Sequence, residues 1–395
     1  MSAVEDVFIV GAVRTAIGDF GGALKDVAPA ELGTKVVAEA IRRAGIEPSD
    51  VQHVVLGQVI QSEPKDAYLA RVVAVNAGVP TSAPALTLNR LCGSGVQAII
   101  SAAQMLRLGE AQIAVAGGAE SMSKSPHVLT SARWGNKMGN AVALDAMLET
   151  LADPFEGMHM GVTGENVAEK YQITREAQDT LAVQGHKRAA AAIAEGRFRE
   201  QILPIELKTR KGVTVFDMDE HVRADASIED MAKLKPAFKK DGTVTAGNAS
   251  GINDGAGAVT LATKAAVDAK GLKPLARILS WGHAGVDPEV MGIGPIKAVP
   301  IALERAGLKI DDIDVIEANE AFAAQACAVA NTLGFDPDKL NPNGSGIALG
   351  HPVGATGAIL TVKAVYELQR TGGRYGLITM CIGGGQGIAM VVERV

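Results

Sequence analysis

A few residues carry most of the chemistry this sequence can offer: Cys92, Cys381, His351 and Asn319, each set among small or glycine-rich neighbours. Cys92 lies in Asn89-Arg-Leu-Cys92-Gly93-Ser94-Gly95, ahead of an apolar run from Val96 to Leu108 that reads as a helix. A thiol where a helix opens meets unpaired backbone amides and the positive end of the helix dipole, and both favour the thiolate. The adjacent glycines admit a substrate close to the backbone, and the Cys92 amide could donate to an oxyanion. A small buried thiol packed at a helix start fits the same local sequence.

His351 sits between Gly350 and Pro352 at the head of a further helical stretch that runs through Tyr366. So restricted, it could deprotonate a thiol or donate to a carbonyl oxygen. The glycine spacing there superficially suggests a dinucleotide loop. Asp338-Lys-Leu-Asn-Pro, however, stands where such a loop needs a strand end. Cys381 closes a strand and enters the turn Gly383-Gly-Gly-Gln-Gly387. Beside a reacting carbon it can move a proton, and the Gly383 amide could polarise a carbonyl. Asn319, in Glu317-Ala-Asn319-Glu320-Ala321-Phe322, follows a short strand, where polar side chains of α/β sheets point into ligand crevices. It could hold a water that donates to an oxyanion, and it could also cap the next helix. Cys327, among alanines, reads as helix core.

The elements that must position these residues come in two similar sets. Ala40-Ile-Arg-Arg-Ala-Gly45 and Ala302-Leu-Glu-Arg-Ala-Gly307 lie 262 residues apart, each a helix end followed by a strand. Leu106 to Gly109 before Ile113, and Leu368 to Gly373 before Leu377, repeat the theme at nearly the same offset. The expected fold class is α/β, with two β-α-β-α-β-type halves in a layered arrangement on mostly parallel sheets. Between the halves the pattern disappears and amphipathic helices such as 175–195 take over. The expected division is residues 1–120 with 246–272 as the N-terminal half, 121–245 as an inserted loop domain, and 273–395 as the C-terminal half.

Composition narrows the function classes. With 395 residues and 47% hydrophobic content the chain can build more than one core. Net charge is −6 and no dense Lys/Arg run tracks a phosphate backbone, which argues against nucleic acid. Three widely spaced cysteines fit neither a disulfide framework nor a zinc site, so no metal is expected and a reducing compartment is. Acidic residues at the N-terminus argue against a signal peptide. The uncharged stretch from Asn341 to Val362 holds five glycines and two prolines, against a membrane helix. A cytoplasmic location follows.

Taken together, Val10-Gly-Ala-Val-Arg14-Thr15, the Cys92, Asn319 and His351 segments and Cys381-Ile-Gly-Gly-Gly-Gln-Gly resemble the thiolase family, in family order and over nearly the whole chain. The resemblance implies a duplicated thiolase fold and a ping-pong exchange of acyl groups between coenzyme A thioesters. Cys92 would carry the acyl group, His351 would activate it, and Cys381 would take the α-proton of acetyl-CoA. His351 with a water on Asn319 would form one oxyanion hole, and the Cys92 and Gly383 amides the other. Coenzyme A contacts carry over to Leu151, His159, Met160, Arg223, Ala246, Ser250, Ala321 and Phe322. Met291 lies where short-chain members narrow the acyl channel.

Its implied partners are acetyl-CoA and short-chain acyl-CoA or 3-ketoacyl-CoA as substrates, with no separate cofactor. The segment 121–141 resembles the loop through which these enzymes form homotetramers. Gln61 to Arg71 departs from the acetoacetyl-CoA-forming pattern towards the broader β-ketothiolases, which leaves longer acyl groups open. A degradative 3-ketoacyl-CoA thiolase of β-oxidation is the alternative. A decarboxylating synthase would want a second histidine in the pocket, and a noncatalytic acyl-CoA binder would not need all the catalytic positions filled.

Overall fold

A computed structural model describes residues 5–210 and 212–395. The first four residues of the acidic N-terminal segment therefore lie outside it. The first half contributes strands β1 (Val7–Arg14), β2 (Gly18–Asp19), β3 (His53–Gly57), β4 (Ala85–Leu88) and β5 (Ile113–Ser121). The inserted region forms two hairpins, β6 (His127–Leu129) with β7 (Ala143–Asp145) and β8 (Ile205–Thr209) with β9 (Gly212–Phe216). Strand β10 (Asn253–Thr263) then returns to the main sheet, followed by β11 (Ala276–Gly285), β12 (Val315–Ala318), β13 (Tyr375–Ile382) and β14 (Gln386–Arg394). Their order is β12-β13-β14-β11-β1-β10-β5-β3-β4, with β2 beside β10.

The duplication is visible element by element. Strands β3 and β12 begin at His53 and Val315, the helices Ser94–Arg107 and Thr356–Thr371 at Ser94 and Thr356, and β5 and β13 at Ile113 and Tyr375, each pair 262 residues apart. The halves meet where β1 pairs with β11. Layering follows from the two-residue period of strands. In β3, Val54 and Leu56 join the core under helix Pro29–Arg43, whereas Val55 faces Ile99 and Leu106 of the central helix.

The sheet is mixed, not mostly parallel. Only β3 with β4, β3 with β5 and β12 with β13 pair in parallel. The reason is local: β14 follows β13 through a tight turn at Gly384 and Gly385, both at positive φ, and β10 returns from the insertion to lie antiparallel to β5 and β1. One departure from the repeat matters for the site. Residues 347–350, the counterparts of β4, belong to the short helix Gly346–Leu349 and its cap, and that turn delivers His351.

The central helices Ser94–Arg107 and Thr356–Thr371 cross at Gly95 and Gly357. A Cβ on Gly95 would fall 2.5 Å from the Ala358 nitrogen, and one on Gly357 would run into the Val96 nitrogen. These glycines bring together the helix starts that carry the Cys92 and His351 segments. The inserted region is held to the first half by a fully buried pair: Arg14 donates to both Asp219 oxygens, at 2.8 and 2.9 Å. Helix Arg175–Ala194 keeps helical spacing on its inner face, but that face is partly polar rather than simply apolar. Gln178 donates to Thr243, and Asp179 accepts from Arg175 and Asn248.

Candidate active site

The nucleophile candidate stands on a sharp strand-to-helix turn. After β4 the chain passes through Leu91 at φ 46°, a left-handed conformation that costs a branched residue about 1–3 kcal/mol. Neighbouring bonds hold it there: Leu91 N–H donates to Asn89 Oδ1 at 2.8 Å, and Ser94 Oγ accepts from Arg90 N–H and donates to the Leu91 carbonyl. Cys92 follows, just before the helix N-cap Gly93.

The expectation of a helix-stabilised thiolate is corrected here. Burial raises the Cys92 pKa above the ordinary thiol range, the Gly383 and Cys92 amides lower it, and Glu120 raises it again. Desolvation outweighs the amides, so Cys92 rests as a thiol and needs a base.

His351 supplies one. Thr356 Oγ1 lies 2.9 Å from the Pro352 carbonyl and 2.7 Å from His351 Nδ1; when it donates to the carbonyl it accepts from Nδ1–H. In that tautomer the proton of neutral imidazole sits on Nδ1 and the Nε2 lone pair can accept a proton. Asn319 Nδ2 approaches that Nε2 at 3.4 Å. Burial lowers the pKa of His351 to about 4, which keeps the ring neutral at ordinary pH. The acid limb of Cys92 acylation should accordingly appear near pH 4: protonation of Nε2 removes the base only below its folded pKa. A rate profile of acetylation against pH checks this, and an acid limb at the ordinary histidine value of 6.5 would contradict it.

Asn319 is not a helix cap. The next helix begins at Ala323 with Phe322 at the cap position, and Asn319 instead follows β12, its backbone N–H donating to the Thr379 carbonyl. Cys381, at the end of β13, is fully buried among Met160, Met291, Ala321 and Phe322. Burial, and secondarily the neighbouring Cys92, push its thiol far above the ordinary range.

These turns surround a narrow cavity of about 60 Å³. Cys92, His351 and Gly383 line it, as do Leu151, Met160, Ser250, Met291, Ala321 and Phe322. Asn319 and Cys381 lie in the wall behind, at 1% and 0% exposure. His159, Arg223 and Ala246 do not line this cavity. His159 caps helix Met160–Lys170 through Nδ1 and stacks on Phe238 at 4.8 Å, while Arg223 lies exposed with a guanidinium nitrogen 4.0 Å from Asp19. Ala246 is exposed in a loop braced by Glu165, which accepts the Thr243 and Val244 amides, and by Asn248, which accepts the Thr245 amide.

Thr356, Val59, Val353, Thr150 and Leu91 belong to the site without having been singled out from the sequence. A hydroxyl five residues after His351, at the next helix start, is a usable signal for Thr356, since a catalytic histidine needs a partner that fixes its tautomer. The apolar wall residues carry no such signal. Cys327 is also corrected: it is half-buried on the wall of a separate groove with Thr174, Arg188 and Glu320, because helix Ala323–Leu333 turns its fully buried residues the other way. Burial pushes its thiol up to about 11, which leaves it a poor nucleophile.

A thiol on a strained turn, a neutral imidazole held through Nδ1, and backbone amides beside the sulfur define a cysteine acyl-transfer site on a duplicated α/β fold. The chain belongs to the thiolase family: the thiolase N-terminal domain matches residues 7–265 and the thiolase C-terminal domain residues 272–394. It is 63% identical to beta-ketothiolase BktB of Cupriavidus necator over 392 residues, spanning 99% of this chain and all of that one. The crystal structure of the Bacillus anthracis acetyl-CoA acetyltransferase superposes with a TM-score of 0.98 at 48% identity, covering both chains in full. Human mitochondrial 3-ketoacyl-CoA thiolase in complex with CoA superposes with a TM-score of 0.97 at 44% identity, over 99% of this chain and 98% of that one.

Proposed function

We infer that the protein is an acyltransferase that interconverts two acetyl-CoA with acetoacetyl-CoA and CoA, by thiolytic cleavage in one direction and Claisen condensation in the other. The observation that carries the mechanism is that His351, held through Nδ1 by Thr356, lines one cavity with Cys92. In this reading Nε2 takes the Cys92 proton and the sulfur attacks the thioester carbonyl. The CoA thiolate then leaves, taking the proton from His351. Cys381, its proton passed to His351, removes the α-proton of a second acetyl-CoA; the carbanion attacks the acetyl carbon on Cys92, and the Cys92 thiolate this expels takes the proton back from His351. The Cys92 and Gly383 amides face the acyl oxygen, and His351 with a water on Asn319 faces the enolate oxygen.

Leu151, Met160, Ser250, Ala321 and Phe322 are the proposed walls for the thioester end. His159, Phe238, Arg223 and Ala246 are the proposed contacts for the rest of coenzyme A, which needs an exposed surface. No cofactor beyond the CoA thioesters is invoked. We place the loop domain at residues 121–245 between halves 1–120 with 246–272 and 273–395. Homotetramer formation through residues 121–141 is supported by the exposure of Val128, Leu129, Trp134 and Met138. A cytoplasmic location fits a chain in which no helix among the described residues is long and apolar enough to cross a membrane.

Similarity to a beta-ketothiolase supports acceptance of short acyl groups beyond acetyl. Met291, 3% exposed in the cavity wall, is the proposed limit on chain length. Specificity constants for thiolysis across 3-ketoacyl-CoA chain lengths test this. They should peak at four or so carbons and fall beyond, by about 10-fold or more per poorly fitted pair of methylenes. Met291→Ala should move the peak to longer chains. A maximum at long chains in the unaltered protein would identify the degradative alternative instead.

A further inference from the structure

In this reading Cys92 and His351 come from opposite halves of the duplicated fold, so no short stretch of chain fixes one relative to the other. We propose that Glu120 and Asn253 are positioning residues that clamp the two ends of the His351–Gly354 turn to the half that carries Cys92. The proposal rests on the acyl-transfer reading above.

The clamp is a pair of side chain to backbone bonds. His351 N–H donates to Asn253 Oδ1 at 2.9 Å, and Gly354 N–H donates to Glu120 Oε2 at 2.9 Å. Both side chains come from neighbouring strands of the first half's sheet, β10 and β5, where Gly255 stands opposite Glu120. Both residues are fully buried.

Asn253 has a defined orientation. Its Nδ2 donates to the Gly18 carbonyl at 3.1 Å and to Asp19 Oδ1 at 3.2 Å, which leaves Oδ1 as the only atom that can receive the His351 amide. Glu120 accepts three backbone amides, from Val59, Ile60 and Gly354, and makes no ion pair among the described residues. Burial pushes the Glu120 pKa up to about 8 against the three amides that lower it, so the contact rests on its acceptor oxygens and not on a charge pair. A buried acid with no counter-ion is costly to keep, which suits a role that depends on its three acceptor contacts. Through the Val59 amide, Glu120 also holds a residue that lines the cavity beside the turn.

The turn is shaped to receive both. A Cβ on Gly350 would fall 2.5 Å from Asn253 Cγ, and one on Gly354 would collide with Glu120 Oε2. Neither side chain lines the cavity, so neither touches substrate. They act through His351.

A double-mutant cycle separates this from a general structural role. The readout is the rate of Cys92 acetylation by acetyl-CoA in a single turnover, with steady-state kcat and KM alongside. His351→Ala should slow acetylation; if it does not, the acyl-transfer reading fails and the clamp with it. Given that it does, Asn253→Ala should slow acetylation by about 10- to 100-fold, the scale of a small misplacement of a catalytic group, with KM nearly unchanged. In the His351→Ala background the same substitution should change the rate by less than about twofold, because its target is gone. An equal loss in both backgrounds, or no loss in either, overturns the clamp while leaving the acyl-transfer reading intact. Should Asn253→Ala not yield folded protein, Glu120→Met, of similar length but with no acceptor for the Gly354 amide, runs the identical cycle with the same two outcomes.

Discussion

Cys92→Ser is expected to lower thiolysis and condensation by about 10³-fold or more, with thioester binding largely retained. The argument turns on proton affinity. His351 is a weak base, its pKa held near 4 by burial, yet a thiol gives up its proton far more readily than a hydroxyl. Serine keeps the size and the amide contacts but asks His351 for a proton it cannot remove at useful rate. Because Cys92 rests as a thiol rather than a stored thiolate, the whole activation must happen in the site. Steady-state thiolysis with a binding assay checks this; undiminished thiolysis in the serine variant would end the covalent mechanism.

Cys381→Ser should divide the reaction. Acetylation of Cys92 is expected to survive within about tenfold, while carbon–carbon bond formation falls by about 10²- to 10⁴-fold, the range for loss of a general acid or base. The physical basis is the position of Cys381: fully buried behind the cavity, it is raised by desolvation and also by the neighbouring Cys92. Acylation of Cys92 removes that neighbour's capacity to carry negative charge, which makes the Cys381 thiolate easier to form once the first half-reaction is complete. Single-turnover acetylation compared with steady-state condensation distinguishes the steps, and equal losses in both would place Cys381 in acylation instead.

Much of this was legible in the sequence because function sits at punctuated turns. Glycines around Cys92, His351 and Cys381 marked the strand ends and helix starts, and the 262-residue offset marked the duplication that brings them together. What was not legible depends on distance in space. The Cys92 pKa was misjudged because a helix start is visible in sequence and burial is not. The mixed sheet was missed because alternation of strands and helices does not record the direction in which β10 returns. Thr356 and Asn253 bond to His351 from positions 5 and 98 residues away, and Glu120 bonds to Gly354 from 234 residues away; only the fold shows those contacts.

The measurement that bears most directly on the central claim is to quench the protein milliseconds after mixing with acetyl-CoA and map the acetyl group by peptide mass. The account predicts one acetyl group per chain on the peptide that contains Cys92, formed with release of free CoA and discharged when CoA is added back. An acetyl group on Cys381 or Cys327, or condensation that proceeds with Cys92 never labelled, would contradict it.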